Sequence, residues 1–288
     1  MNNDLFSETK GETILGFPHD YVVVDTETTG LKPDFDEIIE ITAHKYKNNI
    51  KTDEFSALVR PQRSISEMIT DITGITNTMV ARADDIQNVI HDFHLFVDEE
   101  IILGYNIDFD LRFINKALRS YYAQGLQNDS IDVLKLAKLG LPSLSGYKQT
   151  DVAAFLGITT TGAHRAAVDC EICNSCYQKL KAMHYYDGQS SGRICGEAKP
   201  LHNKNIFLAG TFKQLKLSEL QLLILRAGGN IMFAPTERVD YFIVGEQNNL
   251  EEQLAEYITM LKKQAPSIMV FKETLFLDAL RKKVTATS

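Results

Sequence analysis

Two acids close the stretch Tyr21-Val22-Val23-Val24-Asp25-Thr26-Glu27, and their spacing is the first feature of this chain that could do chemistry. The β-branched apolar run reads as a buried strand. Side chains alternate faces along a strand, so Asp25 and Glu27 point the same way. Two carboxylates side by side at the end of a buried strand repel one another and lose hydration, which costs stability. A divalent cation removes that cost, because hard cations take carboxylate oxygens. A strand running into a polar turn explains the pair equally well unless further acids converge on it.

Further acids do stand at marked positions. Asp110 lies in the first turn of a helix that follows the short apolar run Ile101-Ile102-Leu103-Gly104, and Asn106 is a suitable cap for that helix. Asp169 ends the run His164-Arg165-Ala166-Ala167-Val168-Asp169. Taken singly, Asp110 suits a helix N-terminus through the dipole, and Asp169 suits an exposed helical face. The tight grouping of acid types near strand and helix ends is what calls for a common explanation.

The elements that must position these groups follow from periodicity. After the opening strand, residues 37–46 and 54–59 alternate with β-branched residues and predict an antiparallel meander. Residues 64–82 predict short helical pieces around Ile72-Thr73-Gly74-Ile75-Thr76. Asp84 or Asp85 caps a predicted helix reaching residue 96, and a second runs from Asn106 to residue 122. Ser130-Ile131-Asp132 opens a helix over 133–139, another spans 149–156, and the last of this part spans 164–183. Residues 1–19 read as a loose lead-in. A meander followed by strand–helix units predicts an α/β domain with one mixed central sheet flanked by helices.

Joined together, these blocks resemble the DEDDh family of 3′→5′ exonucleases, in the branch that includes the proofreading epsilon subunit of bacterial DNA polymerase III. The first block is Asp25-Thr26-Glu27-Thr28-Thr29-Gly30, the second Asn106-Ile107-Asp108-Phe109-Asp110, and the third His164-Arg165-Ala166 with Asp169. The resemblance covers residues 21–180 in the family's order. It implies a ribonuclease H-like fold, with Asp25, Glu27, Asp110 and Asp169 as ligands of two Mg2+ or Mn2+ ions and His164 as general base. It also implies that Thr26, Thr28, Thr29 and Gly30 border the 3′-terminal nucleotide. Thr73-Gly74-Ile75 looks like the family's substrate-side loop, and Asn106 supports the second block. Tyr105 and Thr73 stand where family members often carry His, which leaves the reaction intact and the substrate sugar open. The implied activity is hydrolysis at the 3′ end of single-stranded DNA, in replication proofreading or repair. An exoribonuclease and a non-catalytic adaptor are the alternatives.

Residues 184–199 lack periodicity and read as a linker between an exonuclease domain (1–183) and a second α/β domain (200–288) of alternating short strands and helices. The second domain resembles a BRCT domain, through Ile206-Phe207-Leu208-Ala209-Gly210, Ala227-Gly228-Gly229 and Val239-Asp240-Tyr241-Phe242-Ile243-Val244. Leu275 stands where the final helix usually has an aromatic residue. Ala209 replaces the Ser or Thr that precedes the first-strand glycine in phosphate-binding BRCT domains. That substitution argues for a protein or DNA contact, such as a polymerase or repair partner, over phosphopeptide reading.

The bulk numbers agree with an ordinary globular protein: 288 residues, 44% hydrophobic, 24% charged. A net charge of −8 argues against grip on nucleic acid by general electrostatics. The acids concentrate in residues 1–183, with 27 Asp and Glu against 17 Lys and Arg, which suits metal ligands and a small substrate footprint. No apolar run of about 18 residues predicts a membrane span. The start Met1-Asn2-Asn3-Asp4 lacks a secretory pattern, so a cytoplasmic setting with reduced thiols is expected. Cys170, Cys173 and Cys176 fan around a helix instead of converging, and read as small buried residues.

Overall fold

A computed structural model describes residues 11–186, 199–245 and 251–285. The chain divides into two compact units, one built on residues 18–180 and the other joining residues 12–17 to 181–288. The first strand in chain order, β1 (Thr13–Leu15), belongs to the second unit.

The first unit is organised on β2 (Tyr21–Thr28), which pairs antiparallel with β3 (Ile38–Lys47) and parallel with β5 (Ile102–Gly104). β4 (Ile50–Leu58) continues the antiparallel ladder beyond β3, and β6 (Ser130–Asp132) pairs parallel with β5. The order is therefore β6-β5-β2-β3-β4, a mixed sheet of ribonuclease H-like kind. Among the described residues seven helices accompany it: α1 (Glu67–Thr73), α2 (Asn77–Val80), α3 (Ile86–Val97), α4 (Asp108–Tyr122), α5 (Val133–Gly140), α6 (Gln149–Phe155) and α7 (Ala166–Tyr186).

Period-two alternation gives β2 two different faces. Val22 and Val24 join Ile41, Ile90, Phe93, Phe113 and Ile114 in the core shared with α3 and α4. On the other face Tyr21 stacks on Tyr46 and meets the edge of Tyr177. The α7 residues Cys170, Cys173, Cys176, Tyr177 and Leu180 are all buried, and the Cys170 thiol donates to the Val23 carbonyl at 3.6 Å. The cysteines are thus small core residues, free of disulfides.

Three local expectations are corrected. β4 begins at Ile50 and not at residue 54, because Asn48 and Asn49 both adopt positive φ (51° and 63°). Asn tolerates the left-handed region, so the pair makes a two-residue hairpin turn. Ser130-Ile131-Asp132 is a fully buried strand before it opens a helix, and Asp132 then caps α5 by accepting from Leu134 N at 2.9 Å. α7 starts at Ala166, so His164 precedes the helix in a turn.

The second unit has a sheet of order β10-β9-β7-β8-β1, from β7 (Asn205–Ala209), β8 (Asn230–Met232), β9 (Tyr241–Val244) and β10 (Met269–Lys272). These four pair in parallel, and α8 (Leu217–Arg226), α9 (Glu251–Gln264) and α10 (Glu273–Thr285) alternate with them. β1 adds antiparallel to β8, with Ile14 opposite Met232 and Leu15 opposite Ile231. Part of the expected lead-in is therefore a strand. It has only three residues and a partner more than two hundred positions away, so local pattern could not reveal it. The fully buried Glu273 accepts from the backbone N–H groups of Lys213, Gln214 and Leu215 at 2.8, 2.8 and 3.2 Å. Leu275 is exposed, and the buried aromatic of the last helix is Phe276, one position on. α7 runs to Tyr186, so the expected linker begins as helix; residues 187–198, Cys195 among them, lie outside the described residues. No helix of the described residues is long and apolar enough to cross a membrane.

Candidate metal centre

The sheet brings the acids together at one end of β2. Asp25 stands opposite Thr42 and Glu27 opposite Glu40 in the β2–β3 register, and the ladder shifts between Glu27 and Thr28. Directly opposed residues on antiparallel strands sit close, so Glu27 and Glu40 are neighbours on the same face. α7 brings Asp169 to the pair from its first turn. Ligand atoms of Asp25, Glu27 and Asp169 all lie within 4.8 Å of one another.

Asp110 reaches the same place from the first turn of α4, where it is buried at 4% exposure. Its Oδ1 accepts from Thr26 N at 2.9 Å and from Thr26 Oγ1 at 2.6 Å. Thr26 is itself buried, so it tethers a carboxylate and does not line an open edge. Thr28 Oγ1 donates to the Gly30 carbonyl at 2.6 Å, and Thr29 Oγ1 accepts from Glu37 N at 3.0 Å. These bonds fix the turn that ends β2. A Cβ on Gly30 would lie 2.5 Å from the Asp36 carboxylate, a side-chain end that would have to move aside.

The electrostatics of the cluster are set by burial and by like charge. Burial, then the charges of Asp110, Asp169, Glu27 and Glu40, push Asp25 well above the usual carboxylate range. Burial followed by Asp169, Glu40 and Asp110 lifts Glu27 to about 8, with Arg165 opposing. Burial raises Asp110 against the pull of its Thr26 hydrogen bonds, and raises Asp169 against the His164 backbone N–H. The carboxylates cannot all ionise at neutral pH without positive charge among them. Clustered hard oxygen donors are the ligand set that Mg2+ and Mn2+ take, so the residues fit such ions.

His164 occupies the turn before α7 with φ 71°, a left-handed conformation for a residue with a Cβ. Its backbone N–H donates to Asp169 Oδ2 at 2.7 Å. Asn106 also has positive φ (57°), and its N–H donates to Asp132 Oδ1 at 2.9 Å. The capping position of α4 is Ile107, without a side-chain cap, so Asn106 shapes the entry turn instead of capping.

The expected substrate-side loop is placed differently. Thr73 is buried, donates to the Ile69 carbonyl and accepts from Ile75 N. Ile75 is fully buried in a cluster with Ile39, Ile65, Ile69 and Val80. Gly74 ends α1 at φ 71° with open space where a Cβ would stand. Two of these three residues belong to the core and only Gly74 is at the surface turn. Sequence reasoning also missed Glu40, which forms a bidentate ion pair beside the cluster with Arg165 of the third block. The available signal was a lone acid inside the apolar run Ile38-Ile39-Glu40-Ile41.

Comparisons with known proteins bear on the family and the fold. A family model described as Exonuclease matches residues 22–177, and one described as BRCA1 C Terminus (BRCT) domain matches residues 196–278. The DNA polymerase III subunit epsilon of Aquifex aeolicus is 35% identical over 160 residues, covering 56% of this chain and 79% of that protein. The PolC-type DNA polymerase III of Bacillus subtilis is 31% identical over 218 residues, or 69% of this chain but only 15% of that relative. Among solved structures, Escherichia coli exonuclease I in complex with a dA16 oligonucleotide matches with a TM-score of 0.52 at 20% identity. That match covers 58% of this chain and 41% of the other, and speaks for the fold alone.

Proposed function

Because this chain belongs to the Exonuclease family, whose model spans residues 22–177, we propose that its first unit is a two-metal 3′→5′ exonuclease acting on the 3′ end of single-stranded DNA. The observation that carries the reading is the convergence of Asp25, Glu27 and Asp169, with ligand atoms within 4.8 Å, beside the buried Asp110. These four would hold Mg2+ or Mn2+, and two divalent ions match the charge of four carboxylates. Bound there, such ions supply Lewis-acid polarisation of the phosphodiester and a water acidic enough to attack near neutral pH.

The remaining work falls to the chain itself. His164 takes the proton of the attacking water on its imidazole, which carries a ring nitrogen able to accept it. Thr28, Thr29 and Gly30 form a turn braced by its own hydrogen bonds, and present backbone to the terminal sugar. Thr26 keeps Asp110 in place from within the core. Hydrolysis of the last phosphodiester then releases a nucleoside monophosphate.

Similarity to the epsilon subunit supports a place in DNA replication, with the BRCT domain as the contact for a polymerase or repair partner. Ala209 and the Glu273 carboxylate, already bonded to the 213–215 amides, support a contact that reads no phosphopeptide. The test is mononucleotide release from a 3′-labelled oligonucleotide with Mg2+ and an EDTA control. Asp25→Ala combined with Glu27→Ala should abolish release, and full activity in that variant would remove the site assignment. Competing DNA and RNA oligonucleotides test the sugar, since a contact to the 2′-OH is what separates them.

A further inference from the structure

Glu40 is an anomaly in its surroundings. It lies near the start of β3 between fully buried isoleucines, Ile39 and Ile41, and is itself only 3% exposed. A carboxylate so placed is expensive unless every oxygen is satisfied. Its Oε1 accepts from Arg165 Nη2 at 2.7 Å, and its Oε2 accepts from Arg165 Nε at 3.2 Å and from Ala166 N at 3.1 Å. One buried side chain thus holds two consecutive residues, and the residue just before them is His164.

His164 needs holding. A left-handed backbone is unfavourable for a residue with a Cβ and persists only where neighbours over-determine it. Two restraints flank it here. Asp169 accepts its backbone N–H on one side, and Glu40 fixes Arg165 and the first residue of α7 on the other. Asp169 belongs to the carboxylate cluster. Glu40 lies opposite Glu27 in the β2–β3 register, but both its oxygens are taken by the Arg165 fork and the Ala166 N–H, and Arg165 matches its charge. Arg165 has a side chain 44% exposed, so the clamp is anchored on the buried acid and closed from the surface.

We propose that Glu40 is a positioning residue for the general base: through its fork onto Arg165 and Ala166 it keeps the His164 turn in the conformation that aims the imidazole at the attacking water. This rests on the assignment of His164 as base. Glu40 contributes neither a metal ligand nor a proton acceptor, and its effect is transmitted through the backbone of two residues. Arg165 matters through its planar fork, which a lysine cannot reproduce.

The test uses the full chain in four forms: wild type, Glu40→Gln, His164→Ala and the double variant. Single-turnover rates on a 3′-labelled single-stranded DNA oligonucleotide are read in saturating Mn2+, with Mn2+ affinity measured separately by electron paramagnetic resonance. Glu40→Gln should lower the rate by about 10- to 100-fold, the range usual for residues that orient catalytic groups, with Mn2+ affinity and KM unchanged. In the His164→Ala background the same substitution should change nothing further, because there is no imidazole left to aim. An equal loss in both backgrounds, or a fall in Mn2+ affinity, overturns the proposal while leaving the base intact. Wild-type turnover in His164→Ala overturns the base itself, and the proposal with it. Should Glu40→Gln not fold, Arg165→Lys keeps the charge and loses the fork. Its expected rate loss is about threefold or more, and a wild-type rate counts against the clamp.

Discussion

Replacing Glu27 by Gln should stabilise the metal-free protein at alkaline pH while destroying its activity. Glu27 is lifted from an ordinary value of 4.5 to about 8, by burial first and then by the neighbouring acids. A carboxyl whose folded pKa lies above its unfolded one contributes full stability below about pH 4.5 and loses it as pH rises through about 8. At 1.36 kcal/mol per tenfold change in proton affinity, the loss at pH 9 reaches ~5 kcal/mol. Partial exposure and relaxation of the other carboxylates reduce what is measured, so ~2 kcal/mol is the expected difference. Gln mimics the protonated acid in shape and never ionises. In EDTA the variant should therefore match wild type near pH 4.5 and exceed it by ~2 kcal/mol at pH 9. In saturating Mg2+ the order should reverse, because wild type gains ligand-binding free energy that the variant has lost. Urea unfolding followed by circular dichroism at both pH values, with EDTA or Mg2+, reads all four conditions. A metal-free variant less stable than wild type at pH 9 would refute the claim that repulsion in this cluster is what a cation relieves.

Two further predictions separate packing from contact. Ile75→Ala should cost about 2–4 kcal/mol by denaturant unfolding, with the folded fraction keeping its KM; a raised KM without loss of stability would return Ile75 to the substrate surface. Glu273→Gln should destabilise the second unit by about 2–3 kcal/mol, since three backbone N–H groups lose a charged acceptor, while nuclease rates of the first unit stay unchanged. An unshifted unfolding curve would mean that water replaces the carboxylate at that loop.

How much of the fold and the site is legible in the sequence depends on the range of the interactions involved. Asp25 and Glu27 can be read together because strand alternation places them on one face, and the three motif blocks carry the family. The helix over Ile86–Val97 and its Asp85 cap are equally local: the cap accepts from Asn88, three residues on. The Asn48-Asn49 turn is a local signal too, one that the wider spacing of the alternating runs obscures. β1 is a different matter, because its three residues pair with a strand beyond residue 229 and carry no periodicity of their own.

The substrate-side loop shows the same boundary from the other direction. Thr73-Gly74-Ile75 has the composition of a surface turn, yet Ile75 is swallowed by a cluster whose other members come from β3, α1, α2 and the segment just before α1. Thr26 sits between the two acids and its motif groups it with them, although its side chain is buried and its hydroxyl is spent on Asp110, 84 positions away.

What the chain determined by itself was therefore the chemistry: which acids, on which kinds of element, in which order. Residue type and short-range period are properties of neighbouring positions, and they are enough to recognise a strand end that carries two acids on one face. Tertiary structure alone decided how that chemistry is held. Glu40 meets Arg165 across 125 positions, a separation no local pattern encodes. Whether a buried acid repels its neighbours or is neutralised depends on which charge the fold sets beside it.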